Sequence, residues 1–328
     1  VSRDYVTLPP DVRIVPCVAP LSESVSWADS MLGAEEAWKL SQGEGVIVCV
    51  LDTGCDIKHP DLAGAIRDAK DFTGSRVGYN DRHSHGTHVS GLVAARMGND
   101  IGIRGIAPKC ELVIAKVLGD NGAGSDQAIA SGIEWGLSKG ATVFSLSLGG
   151  AFDMPATLAA AKAVTSHGGR FLLAAAGNDG GAVNKPAAYA EFVSVGAYDE
   201  DGNLTGFTSK VGRLDIVGPG VKMLSTIPGG LYGEMTGTSQ ACPVVAAITA
   251  LALAKHRDDG SDTDLRTTAD LREHLLKAAT DTGRGYRLVN ARKMLESHGV
   301  APQPESSRTL VYAPAWTRYE IWRRESDA

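Results

Sequence analysis

This chain of 328 residues has little of what would mark it for a membrane, a nucleic acid or a disulfide scaffold. Its longest apolar run, Pro243 to Ala254, falls short of the roughly 20 residues that a membrane span needs, so no membrane partner is expected. The N-terminus lacks the basic, apolar and small-residue layout of a signal peptide, although a leader already removed would leave the same sequence. Neither sign of charge predominates strongly. Lys and Arg number 32 against 38 Asp and Glu, a net charge of −6 with a pI near 5.8, which gives no electrostatic footprint for nucleic acid. The five cysteines, Cys17, Cys49, Cys55, Cys110 and Cys242, are odd in number and have no paired spacing. They read as separate buried residues and favour a reducing, cytoplasmic compartment over a secreted one. Internal repeats and low-complexity tracts are not visible.

What is present is an ordinary globular composition, 43% hydrophobic and 21% charged. Short continuous apolar runs at 46–51, 111–115, 142–146, 171–175 and 192–196 read as strands covered on both faces. Helix-like stretches lie between them at 86–97, 127–138 and 156–166. This alternation predicts an α/β, doubly wound, mostly parallel sheet flanked by helices. Chemistry in such sheets gathers beyond the carboxyl ends of the strands, where Asp52 and Asn178 fall. The 39 glycines cluster in the connections. The division expected is an N-terminal extension over 1–21, a main α/β body over 22–297 and a C-terminal extension over 298–328.

Three separated motifs carry chemistry: Val50-Leu51-Asp52-Thr53-Gly54, His85-Gly86-Thr87-His88-Val89-Ser90-Gly91 and Gly237-Thr238-Ser239-Gln240-Ala241-Cys242-Pro243. A serine hydroxyl becomes a nucleophile when an imidazole takes its proton and a carboxylate orients that imidazole. Asp52, His85 and Ser239 supply these parts in that order. Competing readings are weaker. His83, His85 and His88 do not follow the His-Glu-x-x-His zinc spacing. A second Asp-Thr-Gly at Asp281-Thr282-Gly283 raises an aspartic-protease dyad, yet that reading leaves the His and Ser motifs unused. Ala241 stands where the Gly-x-Ser-x-Gly elbow of α/β-hydrolases needs glycine. Ser239 opens an apolar stretch running to about His256, with Pro243 near its start, which predicts a buried helix aimed at the site.

The three motifs and their order resemble the subtilisin-like serine endopeptidases, over roughly 275 residues. That resemblance implies a three-layer α/β fold and peptide-bond hydrolysis of broad specificity through an acyl-enzyme. A peptide-binding pseudoprotease is the alternative, and the intact triad speaks against it. It also implies an oxyanion-hole role for Asn178 in Ala175-Ala176-Gly177-Asn178-Asp179-Gly180. Substrate edges are implied at Gly122-Ala123-Gly124 and Ser147-Leu148-Gly149, where a polypeptide substrate would add as a strand. Asn184 would reach the base of the pocket for the residue before the cut, with Asp179 near its rim. For structural Ca2+, Asp61 and Asn99 would give side-chain oxygens, and Met97, Ile101 and Ile103 would give carbonyls.

Several features depart from the family pattern or add to it. Gln240 follows the nucleophile where many subtilisins carry Met, so peroxide tolerance is expected. Cys242 replaces a common Ser, and Val244 stands where His is frequent. The first 21 residues carry Leu8-Pro9-Pro10 and Val15-Pro16 and resemble in scale the extension of intracellular subtilisins. They are expected either to cover the cleft or to lie on the surface as an arm. Tyr312, Trp316, Tyr319 and Trp322 in the tail need cover, from the body or from a second copy in a homodimer.

Overall fold

The computed structural model describes residues 5–7, 15–17, 23–258 and 265–296. The aromatic tail, its homodimer reading and most of the N-terminal extension lie outside the described residues. Two three-residue strands, β1 (Tyr5–Thr7) and β2 (Val15–Cys17), precede the short helices α1 (Trp27–Leu32) and α2 (Ala34–Trp38). Next come β3 (Ile47–Asp52), β4 (Ile66–Asp71), α3 (His85–Ala94), β5 (Glu111–Lys116), β6 (Ala123–Ser125) and α4 (Asp126–Ser138). They are followed by β7 (Val143–Leu146), α5 (Pro155–Thr165), β8 (Phe171–Ala175), β9 (Phe192–Tyr198) and β10 (Ile216–Pro219). The hairpin β11 (Met223–Ile227) and β12 (Leu231–Met235) leads into α6 (Thr238–Asp258). The described body ends with α7 (Thr268–Ala278), β13 (Thr280–Asp281), β14 (Arg287–Leu288) and α8 (Ala291–Glu296).

Nine strands form one sheet in the order β13-β14-β10-β9-β8-β7-β3-β5-β4, parallel except where β13 meets β14. The chain winds from β3 toward β4 on one side and from β7 to β10 on the other. The winding therefore reverses at β3, and Asp52 ends that strand. Successive residues of the central strands feed opposite cores, as the period of two requires. Val48, Val50, Leu112, Ile114, Leu173 and Val195 face α3, α6, α7 and α8. Cys49, Leu51, Val113, Ala115, Leu172 and Ala174 face α4 and α5. The result is the three-layer α/β arrangement expected from the alternation of runs.

Two helices differ from the sequence expectation. α3 stops at Ala94 rather than near Met97, because Ala95 is extended (φ −52°, ψ 136°) and the chain turns into a loop toward Asp61. α6 runs from Thr238 to Asp258, slightly longer than expected. It is long and apolar enough to cross a membrane, but 89% of that stretch is buried inside the domain, which makes it the core helix.

Candidate active site

The carboxyl end of β3 and the amino end of α3 meet through backbone contact. A Cβ at Gly86 would fall 2.0 Å from the Gly54 carbonyl oxygen, so glycine at 86 is what allows this approach. It brings His85 Nδ1 to 2.8 and 3.0 Å from the two Asp52 carboxylate oxygens, both residues being fully buried. One of those oxygens also accepts the Thr53 N–H at 2.7 Å. Burial works against the imidazolium, but the Asp52 charge and hydrogen bond outweigh it, and the His85 pKa is raised. His85 Nε2, the nitrogen that would take a proton, is buried without a hydrogen-bond partner among the described residues.

Sequence reasoning missed Asp81. Ser84 precedes α3 in the left-handed region (φ 79°) and gives no side-chain cap. Asp81 does that work instead. Its oxygens accept from the N–H groups of His83, Ser84 and Thr87 at 2.8–2.9 Å and from the Thr87 hydroxyl at 2.7 Å. Thr53 Oγ1 donates to Asp81 at 3.0 Å and accepts from Gly86 N at 2.9 Å, which ties the Asp52 strand to the His85 helix. Lys116, fully buried, bonds the Thr53 carbonyl and pairs with Asp120 at 3.0 Å. An acidic residue four positions before the histidine was the available signal. Its meaning depends on a loop packed back onto the helix.

Ser239 lies in the first turn of α6, 5% exposed. Pro243 has no N–H to offer the carbonyl four residues earlier, and the Ser239 carbonyl instead accepts the Ser147 hydroxyl at 2.7 Å. The Ser239 hydroxyl donates to the Ser147 carbonyl at 3.3 Å rather than to His85. Asp52 and His85 are therefore joined, while the serine hydroxyl is turned toward Ser147.

Asn178 follows β8. Its Oδ1 accepts the Thr238 N–H at 2.8 Å and the Thr238 hydroxyl at 2.9 Å, leaving Nδ2 as the end available to a ligand. Asn184 packs between two glycine backbones. A Cβ at Gly177 would meet its Nδ2 at 2.5 Å, and one at Gly149 its Cβ at 3.3 Å. Asp179 is tied into its own turn by Ser209 Oγ at 2.5 Å and Gly181 N at 2.9 Å. Gly122 has φ 74° and turns the chain into β6, whose Ala123, Gly124 and Ser125 pair antiparallel with Thr7, Val6 and Tyr5. Ser147, Leu148 and Gly149 follow β7 at the same end of the sheet.

The competing readings separate in space. His88 donates Nε2 to the carbonyls of Met223 and Gly233 at 2.9 and 3.1 Å, a packing role. Burial pushes its pKa down to about 3. Asp281 lies in β13 at one edge of the sheet, with five strands between it and β3, so it forms no dyad with Asp52. Burial pushes the Cys242 thiol up to about 12, which leaves it a packing residue.

The loop after α3 wraps around Asp61. The carboxylate is fully buried and accepts from Asn99 Nδ2 at 2.7 Å, Ile103 N at 2.9 Å and the Tyr232 hydroxyl at 3.3 Å, all neutral donors. Burial raises its pKa. Met97, Ile101 and Ile103 bracket the same turn, through Gly98 (φ 80°), Asp100 (φ 63°) and Gly102 (φ 63°). Glu23, which sequence reasoning did not single out, accepts the Gly98 N–H at 2.6 Å. Among the described residues no three His, Cys, Asp or Glu side chains cluster as a metal site. A hard cation here would need backbone and amide oxygens as well. The buried Asp61 carboxylate and the carbonyls of this loop are oxygens of that kind, whereas Asn99 turns its Nδ2 to Asp61 and its Oδ1 to the Ile101 N–H at 3.1 Å, so its amide would have to reverse to offer an oxygen.

The subtilase family model matches residues 43–293. The chain is 40% identical over 280 residues to the M-protease of Shouchella clausii (strain KSM-K16), covering 84% of this chain and 70% of that one. It is 40% identical over 276 residues to subtilisin Savinase of Lederbergia lenta, covering 82% and 98%. With the major intracellular serine protease of Bacillus subtilis (strain 168), identity is 37% over 269 residues, covering 76% and 82%. Structural calcium is common among subtilisins. With a doubly wound sheet and an Asp-His pair at its switch point, this chain belongs to the subtilase family and is a subtilisin-like serine endopeptidase.

Proposed function

We propose that Ser239 is the nucleophile, His85 the general base and acid, and Asp52 the carboxylate that fixes the His85 tautomer. The observation that carries this reading is the buried Asp52–His85 contact at 2.8 Å, with His85 Nε2 left unbonded. Asp52 accepts a hydrogen bond from Nδ1–H, which keeps the proton on Nδ1 and leaves the lone pair on Nε2. The Ser239 hydroxyl rotates from Ser147 to Nε2 and gives up its proton as the oxygen attacks the peptide carbonyl. The carbonyl oxygen gains negative charge between Asn178 Nδ2 and the Ser239 N–H. The imidazolium passes its proton to the departing amine, and an acyl-enzyme remains. Water enters, loses a proton to Nε2 and releases the acid, which restores the serine.

Gly122, Ala123 and Gly124 form one substrate edge, and Ser147, Leu148 and Gly149 the other, with Asn184 at the pocket floor. Backbone pairing tolerates most sequences, which supports broad specificity. Residues 1–21 act as an inhibitory extension, because β1 pairs with the β6 edge that a substrate strand would use. Asp61, Asn99 and Glu23 side chains, with the carbonyls of Met97, Ile101 and Ile103, would hold Ca2+. The ion would supply charge compensation for the buried carboxylate and take no part in hydrolysis.

A serine-directed fluorophosphonate tests the assignment. One label per chain on Ser239, lost in Ser239→Ala and in His85→Ala, is expected by mass spectrometry. Labelling elsewhere, or labelling unaffected by His85→Ala, refutes it.

A further inference from the structure

β12 has two partners. β11 pairs on one side, and β2 adds antiparallel on the other, with Cys17 opposite Tyr232, Pro16 opposite Gly233 and Val15 opposite Glu234. Pro16 has no N–H, so its pair with Gly233 is of the non-hydrogen-bonded kind, and the ladder bonds fall at Val15–Glu234 and Cys17–Tyr232. This edge is distinct from β6, where β1 sits. The N-terminal segment therefore adds as a strand at two separate edges, although inhibition requires only the cleft. Without β2, the outer N–H and C=O groups of Glu234 face an open edge. That edge runs into Ser239 within four residues of Met235.

We propose that the outer edge of β12 is a second docking strand for extended polypeptide, an exosite held in the intact chain by Val15–Cys17 and taken by unfolded protein substrate when that segment leaves. The inference rests on the endopeptidase reading only for the identity of the occupant. The chain's own strand seated there shows what the edge accepts, which is extended backbone. Backbone recognition places little demand on side chains, as a broad protease requires. A substrate held at two edges binds its second site at the high local concentration set by the linking chain, so unfolded proteins gain over short peptides.

The test uses the full-length chain carrying Ser239→Ala, which removes self-cleavage. A fluorescent peptide of residues 12–20, with Cys17→Ser, is titrated by anisotropy against this chain and against the same chain with Val15→Pro and Cys17→Pro. The two prolines remove both β2 N–H donors. Binding is expected to tighten about tenfold or more in the proline chain, and to be lost when Glu234→Pro removes the matching N–H of β12. A reduced, carboxymethylated protein should displace the peptide, whereas a four-residue cleft substrate should not. Equal binding to both chains, no binding to either, or displacement by the cleft substrate would each overturn the proposal. Circular dichroism of the Glu234→Pro chain separates loss of the edge from loss of the fold; if that chain is unfolded, the comparison of the other two decides. No arm depends on turnover, so failure of the catalytic assignment reads out separately in the fluorophosphonate experiment.

Discussion

Thr238 holds Asn178 from two directions, its N–H and its hydroxyl both ending on the amide oxygen at 2.8 and 2.9 Å. The residue before the nucleophile thus fixes which end of the asparagine faces the reacting carbonyl. Asn178→Ala is expected to lower kcat about 10²–10³-fold with little change in KM, since the donor acts on charge that develops in the transition state. Thr238→Val keeps the N–H bond and removes the hydroxyl bond to Asn178, together with the longer one that the hydroxyl accepts from Gly177 N–H at 3.3 Å. One neutral hydrogen bond is about 1 kcal/mol, so a loss of about fivefold in kcat is expected. Steady-state kinetics on one short peptide substrate check both. A Thr238→Val effect as large as that of Asn178→Ala contradicts this division.

Two histidines three residues apart titrate in opposite directions. His85 must be neutral at Nε2 to act as base, and its raised pKa places the acid limb of kcat/KM above the ordinary 6.5. Its pairing stabilises the fold below pH 6.5 and is lost as pH rises through the folded-state value. His88 is held down to about 3, with burial the largest cause. Its neutral form stabilises the fold above pH 6.5, and that contribution drains away between about 6.5 and about 3. Asp52→Asn should move the acid limb down while lowering kcat severely. His88→Gln should flatten the fall in Tm between pH 6 and pH 4, followed by calorimetry. A slope steeper than that of the unmodified chain rules out this account of His88.

The oxidation resistance expected of this chain would have a specific local basis. Gln240 places an amide after the nucleophile, but a sulfur remains close by, because Gln240 Nε2 lies 3.8 Å from Met235 Sδ. Met235 is 1% exposed and Cys242 fully buried, so peroxide reaches neither readily. Activity is expected to survive millimolar peroxide, with Met235 unmodified by peptide mapping. Gln240 is as buried as Met235, so Gln240→Met separates the two causes: retained resistance would assign it to burial, and sensitivity gained would assign it to the missing thioether. Sulfoxide at Met235 coinciding with activity loss would mean that burial does not protect it.

Much of the fold was legible because it is written in local patterns. The run from Val46 to Leu51 could only be a strand covered twice, and Val48 and Cys49 do enter opposite cores. The three motifs named the side chains proposed for catalysis, of which the structure joins Asp52 to His85. Asp81, Glu23 and the hydroxyl of Ser147 were not legible, since each acts on a residue distant in sequence: Thr53, Gly98 and Ser239. β1 and β2 are three residues each, too short for any periodicity, and Pro16 argues against a strand until its partner is known to be an edge. The direction of the Ser239 hydroxyl is a rotamer choice that no sequence pattern encodes.

The pairing of β1 with β6 makes the extension a competitor for the substrate edge. Removing residues 1–21 should raise kcat/KM on a short peptide by at least about tenfold, mainly through KM, because an intramolecular strand competes at high effective concentration. The released peptide added back should inhibit competitively and far more weakly than when attached. Equal activity with and without the extension would assign residues 1–21 to the surface.

Asp61 supplies the sharpest test of calcium. A buried carboxylate bonded only by neutral donors keeps its charge at a cost that a bound cation offsets. Its raised pKa is a property of the protein without metal. Two outcomes follow from the sign of that shift. Without calcium, lowering the pH toward the raised value should relieve the buried charge, so chelator-treated protein should lose less stability at mildly acid pH than at pH 8. With calcium, Tm should rise with ion concentration by mass action, and Asp61→Asn should abolish that rise while leaving the fluorophosphonate label on Ser239. Glu23→Gln should weaken the calcium dependence without abolishing it, since an amide oxygen still coordinates. A melting temperature indifferent to chelator at both pH values would leave Asp61 as an ordinary buried carboxyl hydrogen-bonded by Asn99, Ile103 and Tyr232.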